Sequence, residues 1–456
     1  MKKALLLLCF AACTTKDVAP APVEWAPGMA LRTEVGERLR GFRDVRGLIH
    51  SHSYFSHDAC DGKPHDDAGV YDQVCYEDFR RGACQAKHDF VFLTDHPALF
   101  TDHEFPDTLL YRADHGDALI DHGSGPSANR LACPDGPPVL VMAGCESDSM
   151  MPIGLEQHAP TRGTLYGGDQ PADYEGVKSF GAVALVAHTE DWTADQLSTL
   201  PLDGFEMYNL HANSLLNLGN VADTVVLIDE KKFDGLPDPN LFFTAFHLED
   251  PRYLTTWGST LSRGVKRVTT MGTDCHRNSL PQLTQDGERI DSYRRMMMAF
   301  SNHVLVRPQA DGRYDDRDLK DAIRAGRLYG VFEFLGYAHG FDFFATEGGA
   351  TKEMGEEASL AEGVTLHVKT PALVALPADI TPPALTTVLF EARDGGWDEV
   401  SRSSGSELSF TATQAGAYRA EVRVTPRHLL KWINKKQGWL AEERPWVYSN
   451  AIYVVP

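Results

Sequence analysis

Several histidines and carboxylates in this sequence have a spacing that suits metal binding. His50 and His52 are separated by one residue, and so are Asp274 and His276. Alternate residues of an extended strand point to the same side, so each pair can reach one ion. A carboxylate such as Glu146 can bridge two ions through its two oxygens. Nitrogen and oxygen ligands favour divalent transition-type metals, and two bridged ions suit phosphoryl transfer.

The elements that position these residues are short apolar runs. They recur in a region that is rich in histidine, since 14 of the 18 histidines lie between His50 and His276. Most of the runs end at a His, Asp or Glu, and they cover residues 45–49, 90–93, 139–143, 182–187, 205–208 and 268–272. These runs alternate with helical stretches such as residues 76–87, and this alternation of strands and helices predicts a parallel α/β sheet or barrel. In a barrel the C-terminal strand ends form the active site, so we expect these side chains to converge.

The same motifs resemble those of the PHP superfamily, named for polymerase and histidinol phosphatase, over roughly residues 45–335. The resemblance implies an α/β fold, a distorted (β/α)7 TIM-like barrel. It also implies two or three divalent metal ions, usually zinc, manganese or iron, and hydrolysis of phosphate esters. The motifs that carry it are His50-x-His52, Ser56-His57-Asp58, Leu93-Thr94-Asp95-His96, Gly144-Cys145-Glu146, His188 after an apolar run, and Asp274-x-His276.

Carried over position by position, the resemblance implies nine metal ligands. His57 competes with Asp58 for one position, and we favour Asp58. His158 is the best candidate for a ligand that the family carries between the Glu and the next strand-end His. The implied set is His50, His52, Asp58, His96, Glu146, His158, His188, Asp274 and His276.

Four further residues are expected to act beside the ions. Asp95 is expected to orient the imidazole of its neighbour His96, as carboxylates next to metal-bound histidines do. His211 is expected to support a ligand or to face the substrate rather than to bind metal. Arg252 or Arg277 is expected to bind the phosphate oxygens of the substrate.

We therefore predict a metal-dependent phosphoesterase that attacks a phosphomonoester or phosphodiester with a metal-activated hydroxide. The expected substrate is a phosphorylated small molecule or a short phosphodiester, because a formal net charge of −21 disfavours bulk nucleic-acid binding. The alternatives are a metal-dependent hydrolase of a non-phosphate ester or amide, and a non-catalytic surface binding lipoprotein. The sequence contains no motif typical of serine hydrolases, P-loop proteins, Rossmann folds or HExxH metalloproteases.

The N-terminus predicts export. Residues 1–12 combine a basic start with an apolar run that is too short to cross a bilayer, which is typical of a signal peptide. Ala11-Ala12-Cys13 resembles a bacterial lipobox, so we expect Cys13 to be lipidated and residues 13–40 to form a tether. The protein would then be anchored to a membrane of the bacterial cell envelope, facing the periplasm or the surface. A cleaved signal without lipid is the alternative.

Two domains are predicted after the tether, a hydrolase barrel at residues 41–339 and an Ig-like β-sandwich at 340–456. Beyond residue 340, β-rich runs are separated by Gly, Pro and Asp turns, which is typical of a sandwich. We expect the polar insertion at residues 101–138 to be an exposed loop rather than a lid or a cation site. Outside the cytoplasm, Cys60, Cys75 and Cys84 could supply one disulfide.

Overall fold

The computed structural model describes Trp25 and residues 39–456, apart from the side chain of Leu215. The predicted signal peptide, Cys13 and most of the predicted tether lie outside the described residues. Within the described part of the chain, no helix is both long and apolar enough to span a membrane.

More of the described residues lie in β-strands than in α-helices. The β-strands are β1 Arg43–Leu48, β2 Phe90–Phe92, β3 Ala118–Asp121, β4 Pro126–Leu131, β5 Val139–Met142, β6 Met151–Ile153, β7 Val183–Leu185, β8 Gly204–Asn209, β9 Val268–Gly272, β10 Ser301–Val306, β11 Leu328–Val331, β12 Tyr337–His339, β13 Asp342–Glu347, β14 Ala350–Glu353, β15 Glu357–Ser359, β16 Val364–Lys369, β17 Ala372–Val374, β18 Leu385–Arg393, β19 Gly396–Ser403, β20 Glu407–Thr411, β21 Gly416–Val424, β22 Arg444–Ser449 and β23 Ile452–Val455.

The α-helices all lie in the first three quarters of the described chain. They are α1 Ala59–Gly62, α2 Gln73–Gln85, α3 Pro97–Phe100, α4 Arg162–Leu165, α5 Pro171–Ser179, α6 Ala194–Thr199, α7 Leu210–Leu216, α8 Leu218–Asp229, α9 Pro251–Leu261, α10 Tyr293–Ala299 and α11 Asp316–Arg324.

Local sequence explains the elements around the predicted site. β2, β5 and β7 are wholly apolar and buried along their length, as strands covered on both faces are. The helix predicted at residues 76–87 is confirmed as α2. Asp72 caps its first turn: the Asp72 carboxylate accepts hydrogen bonds from the backbone N–H groups of Val74 and Cys75, because the first turn of a helix leaves its N–H groups without helical partners.

The largest sheet is mixed and open. Its hydrogen-bonded order is β15-β23-β21-β22-β11-β10-β1-β2-β5-β4-β3, with β18 and β19 attached beside β21. β1, β2 and β5 run parallel, whereas β10 and β4 run antiparallel to their neighbours β1 and β5. β6 and β7 form a separate antiparallel pair, and β8 and β9 form a separate parallel pair.

The mixed α/β architecture agrees with the prediction, but the structure does not show the closed TIM-like barrel. Antiparallel strands flank the parallel ones, and β6 to β9 remain in short pairs, so no continuous ladder surrounds the core. Single bridges connect these pieces at their ends: Ser51 pairs with Cys275, and Ala143 with Leu155. The bridges bring together the ends of β1, β5, β6 and β9, which is the arrangement that the site requires.

The C-terminal segment is rich in strands, as predicted, and it continues the large sheet. β22 pairs with β11, so strands from both predicted domains share one sheet. β13, β14, β16 and β20 form a second, four-stranded antiparallel sheet. The Ig-like character of this segment and a boundary at residue 340 stay predictions.

The insertion at residues 101–138 takes part in the fold. β4 pairs with β5 and extends the large sheet. The Asp117 carboxylate accepts two hydrogen bonds of 2.8 Å from Arg80 of α2. Two disulfides hold the same region, joining Cys60 to Cys75 and Cys84 to Cys133. Residues of the insertion are therefore anchored to α2 and β5 rather than forming a separate exposed loop.

The C-terminal strands also contact the elements that carry the site. The Asn450 amide pairs with Thr269 of β9, accepting from its N–H and donating to its carbonyl at 2.8 Å each. The buried Arg419 guanidinium lies over the rings of Trp257 on α9 and Trp397 on β19, 4.7 and 4.6 Å from their centroids. These contacts fix β9 and α9 against the C-terminal segment.

Gly258 tests this packing, because α9 and β19 meet there without room for a side chain. A Cβ at Gly258 would lie 1.8 Å from the carbonyl oxygen of Gly396, whereas a Cβ at Gly219 of α8 would meet nothing within 4 Å. We expect Gly258→Ala to lower the free energy of unfolding by about 1–3 kcal/mol. The control Gly219→Ala is expected to leave it unchanged or to raise it by up to ~1 kcal/mol. Denaturant unfolding measures both, and equal effects would contradict the close packing.

Candidate metal centre

The side chains of the candidate centre follow strand ends. His50 and His52 come after β1, Glu146 after β5, and Asp274 and His276 after β9. All five are buried. Removing such polar groups from water is costly unless they are paired with one another or with a cation.

Four of these side chains each present one atom to a common centre. The Nε2 atoms of His50 and His52 are 3.2 Å apart. Glu146 Oε2 lies 3.1 Å from both nitrogens, and Asp274 Oδ1 lies 3.2 Å from both. Ligand atoms ~2.0–2.1 Å from a tetrahedral ion would be about 3.3 Å apart. Donor types and separations therefore fit a divalent cation.

A second group shares His52 and adds Asp58, His96 and His276. Asp58 Oδ2 lies 2.9 Å from His276 Nε2 and 3.4 Å from His96 Nε2. Three imidazoles and one carboxylate form a donor set typical of zinc, manganese or iron sites.

A third group lies on the open side of the cluster and consists of His211, Asp274 and His276. His211 Nδ1 is 3.4 Å from Asp274 Oδ2, and His188 Nε2 is 3.3 Å from the same oxygen. The backbone of His188 and Asp274 is left-handed, with φ of 50° and 53°. This conformation is costly for residues other than glycine and is concentrated at functional sites.

Glu146 and Asp274 connect the groups. Each directs one carboxylate oxygen towards His50 and His52 and the other towards His188. A carboxylate whose oxygens belong to different donor sets can bridge two ions. The groups share His52, Asp274 and His276, and their donor sets fit divalent cations.

The outer nitrogen of each central imidazole is occupied by an acceptor, which leaves Nε2 directed at the cluster. His50 Nδ1 lies 2.7 Å from the buried Glu206 carboxylate. His96 Nδ1 lies 3.0 Å from the carbonyl of Glu146, and His276 Nδ1 lies 2.8 Å from that of Asp274. Such outer hydrogen bonds fix the tautomer and the orientation of metal-binding histidines.

Charges within the cluster keep its carboxylates ionised. Burial alone would raise the pKa of Glu146 and Asp274, but the neighbouring histidines, His50 first, outweigh burial and hold both pKa values well below their usual range. Burial acts to lower the pKa of His96, yet Asp58 and Glu146 raise it to about 9. Metal binding needs neutral imidazoles and ionised carboxylates, so a cation would take the place of these protons.

Most of the predicted ligands are brought together. Asp58 is in the cluster, whereas His57 is exposed and only its ring lies near His96. His158 is not in any of the groups, because its two ring nitrogens contact the Tyr166 hydroxyl at 3.2 Å and the His103 carbonyl at 2.8 Å. The predicted ligands that do lie together are His50, His52, Asp58, His96, Glu146, His188, Asp274 and His276.

Two residues expected to act beside the ions have different surroundings. Asp95 does not orient His96, since its carboxylate accepts hydrogen bonds from the backbone N–H and the hydroxyl of Ser53, at 2.5 and 2.7 Å. Burial raises the pKa of Asp95 to about 7. His211, expected beside the ligands, lies within a group that could hold an ion.

The two candidate arginines pair with carboxylates outside the cluster. Arg252 is half-exposed and its guanidinium lies 2.8 Å from Asp250. Arg277 Nε lies 3.2 Å from the Asp78 carboxylate on α2. Neither guanidinium belongs to the groups that could hold an ion, and phosphate binding by these arginines stays a prediction.

Glu206 is a buried carboxylate beside the candidate ligands that was not predicted from the sequence. It is fully buried in β8 and pairs with His50. The available signal was an acidic residue within the predicted strand at residues 205–208, a rare placement for an unpaired carboxylate if the strand is buried. Glu190 was also missed; it lies 3.5 Å from His188 Nδ1 and accepts a hydrogen bond from the Tyr253 hydroxyl.

Comparison with known proteins gives only distant likenesses. No protein-family model and no curated protein matches the chain. A two-domain protein from Bacteroides vulgatus, described as containing a predicted PHP-like metal-dependent phosphoesterase, is 15% identical with a TM-score of 0.34, over 91% of this chain and 97% of that one. PsfC from Pseudomonas syringae is 13% identical with a TM-score of 0.34, over 63% and 91%. At these values the likenesses define neither the fold nor the function of this chain.

Replacing Glu206 tests whether it supports metal binding through His50. Glu206→Gln removes the charge but keeps the size, so we expect affinity for Zn²⁺ or Mn²⁺ to fall about 10–100-fold. Competition with a coloured chelator measures this affinity, and circular dichroism confirms folding. The matched control is Glu175→Gln on the exposed surface of α5, which should retain the original affinity. Equal affinities in the two variants would contradict the role of Glu206.

Proposed function

We propose that this chain is a metal-dependent phosphoesterase that hydrolyses a phosphomonoester or phosphodiester with two or three zinc, manganese or iron ions. The observation that supports it most is the pair of buried carboxylates, Glu146 and Asp274, each with one oxygen facing His50 and His52 and the other facing His188. A single structural ion would need only one such set. Two adjacent ions can hold the attacking and the leaving oxygen of an in-line displacement.

The residues of the chain would hold these ions in fixed positions. His50, His52, Glu146 and Asp274 would hold one ion, and Asp58, His96 and His276 would surround a second position, because the Nε2 atom of His52 can bind only one of the two. When bound, divalent ions supply a Lewis acid for the phosphate oxygens and a nucleophile derived from water at neutral pH. Glu206 keeps the His50 ring in the tautomer whose Nε2 can bind.

His188 and His211 form the side of the cluster that substrate can reach. Their side chains are 41% and 29% exposed, whereas Glu146 and Asp274 beside them are 4% exposed. His211 Nδ1 faces Asp274, and its Nε2 lies 3.4 Å from the exposed Ser279 hydroxyl. His211 would contribute Nδ1 to an ion and present Nε2 to the substrate.

The proposal includes a location. On the basis of the N-terminal sequence, Cys13 would be lipidated and the protein anchored in the bacterial cell envelope.

Two other functions are compatible with the same cluster: hydrolysis of a non-phosphate ester or amide by the same ions, and ligand binding without catalysis. The following experiment distinguishes them from phosphate-ester hydrolysis.

Turnover by metal-loaded protein tests the proposal. Full-length protein is assayed with a panel of phosphomonoesters, phosphodiesters, carboxylic esters and amides, before and after removal of metal by a chelator. We expect hydrolysis of a phosphate ester that is lost with the metal and restored by Zn²⁺, Mn²⁺ or Fe²⁺. Hydrolysis of only carboxylic esters or amides, or bound metal without any turnover, would contradict it.

A matched pair of variants shows whether turnover comes from this cluster. Asp274→Asn removes a bridging charge, and we expect kcat/KM to fall about 10³-fold, which corresponds to ~4 kcal/mol of transition-state stabilisation. Asp398→Asn changes an exposed carboxylate on β19 and is expected to leave kcat/KM unchanged. Retention of full activity by Asp274→Asn would place the active site elsewhere.

A further inference from the structure

The cluster opens into a cavity whose other walls are mainly apolar. The cavity has a volume of about 470 Å³, and His188, His211 and Asp274 form one of its walls. The opposite walls come from α7, α8, the 239–246 turn and α10, and consist mainly of Leu210, Leu218, Val221, Phe243, Phe246 and Met296. Four of these six apolar side chains are buried, and the more exposed Leu218 and Val221 form the rim of the cavity.

The lining of this cavity disfavours a strongly anionic occupant. Among the described residues, no Lys or Arg side chain lines it, and the carboxylates of Glu190 and Asp291 do. Asp291 is already paired, since it accepts hydrogen bonds of 2.8 Å from the N–H groups of Ser279 and Leu280 and from Arg289. A second phosphate or a carboxylate on the substrate would therefore find no Lys or Arg partner among the described lining residues.

A larger groove nearby has the opposite character. It is lined by charged side chains, among them Arg81, Glu288 and Arg289. Within the described residues, its lining includes Arg277 but none of the His, Asp or Glu side chains of the metal-binding groups. The apolar cavity, and not this groove, is continuous with the cluster. We therefore expect the organic group of the substrate to bind in the apolar cavity while its phosphate lies at the cluster.

We propose that this cavity binds an uncharged alkyl or aryl group of the substrate, so that the substrates are phosphate esters of apolar alcohols. The inference rests on the proposed phosphoesterase function, because the phosphate must lie at the cluster for the organic group to enter the cavity. His188 and His211 form the boundary between the two parts. Burial of the apolar group supplies binding that a sugar or a polyol would not obtain.

A homologous series of substrates tests the inference. Metal-loaded, full-length protein is assayed with ethyl, butyl, hexyl and octyl phosphate below their aggregation limits, and with glycerol phosphate. We expect kcat/KM to rise about fourfold per methylene until the cavity is full, from ~0.8 kcal/mol per buried methylene at 1.4 kcal/mol per factor of ten. Glycerol phosphate should be a poorer substrate than butyl phosphate.

Variants at the rim show whether this cavity produces the preference. Leu218 is 60% exposed and Val221 is partly buried, so Leu218→Ser with Val221→Ser leaves the buried walls intact. We expect this double variant to lower the ratio of kcat/KM for hexyl over ethyl phosphate at least about tenfold. The matched control changes Leu216 of α7 and Val226 of α8 to Ser, since both are about half-exposed but do not line the cavity. We expect this control variant to show the same ratio of kcat/KM for hexyl over ethyl phosphate as the unaltered protein.

The possible outcomes separate the two proposals. If short and polar phosphate esters are hydrolysed but kcat/KM is independent of chain length, the phosphoesterase function stands and the apolar cavity has no part in it. An equal loss of the ratio in both double variants would also overturn the inference. If no phosphate ester is hydrolysed at all, the proposed function fails and the substrate class fails with it.

Discussion

The architecture depends on one electrostatic constraint, which is that ionised carboxylates and imidazoles share a buried volume. Glu146 and Asp274 are almost fully enclosed; Glu146 lies within 3.3 Å of three histidines and Asp274 within 3.3 Å of four. Buried charges of this density are stable only when positive charge balances them. Protons on the imidazoles can supply that charge, but the donor types and spacing suit divalent cations better. Metal affinity and catalysis would then arise from the same balance.

The rest of the fold keeps this cluster in place. The ligand pairs after β1 and β9 are joined by the Ser51–Cys275 bridge. β9 is in turn fixed by the Asn450 amide from the C-terminal segment, and α9 packs against β19 through Arg419 and Trp257. The C-terminal strands therefore belong to the framework of the site, since any displacement of β9 would move Asp274 and His276. This coupling explains why strands of both predicted domains share one sheet.

Much of the site could be predicted from the sequence, because its signals are local. The pairs His50-x-His52 and Asp274-x-His276 and the carboxylate at 146 stand directly after apolar runs, and the strand period alone orients each pair. The assignments that failed depended on long-range packing. His158 has a suitable residue type, but Tyr166 and the His103 carbonyl occupy its ring. Asp95 binds Ser53 rather than its sequence neighbour His96. Glu206 was missed because nothing local shows that β8 lies beside His50.

The fold was predicted less completely than the site for a related reason. Apolar runs indicate strands but not the direction in which neighbours pair. β10 and β4 pair antiparallel with β1 and β5, and β22 joins β11 across more than 100 residues. These pairings yield an open mixed sheet where a closed parallel barrel was expected. The ends of the strands still meet at the cluster, so the chemistry expected of the barrel remains available without its closure.

The most direct measurement is the metal content of the full-length protein, purified without chelator and analysed by mass spectrometry of the elements. We expect two or three transition-metal ions per chain. The metal content should fall in Asp274→Asn and stay unchanged in Asp398→Asn. Folded protein that holds no such ion, and that takes up none from solutions of zinc, manganese or iron, would contradict this expectation.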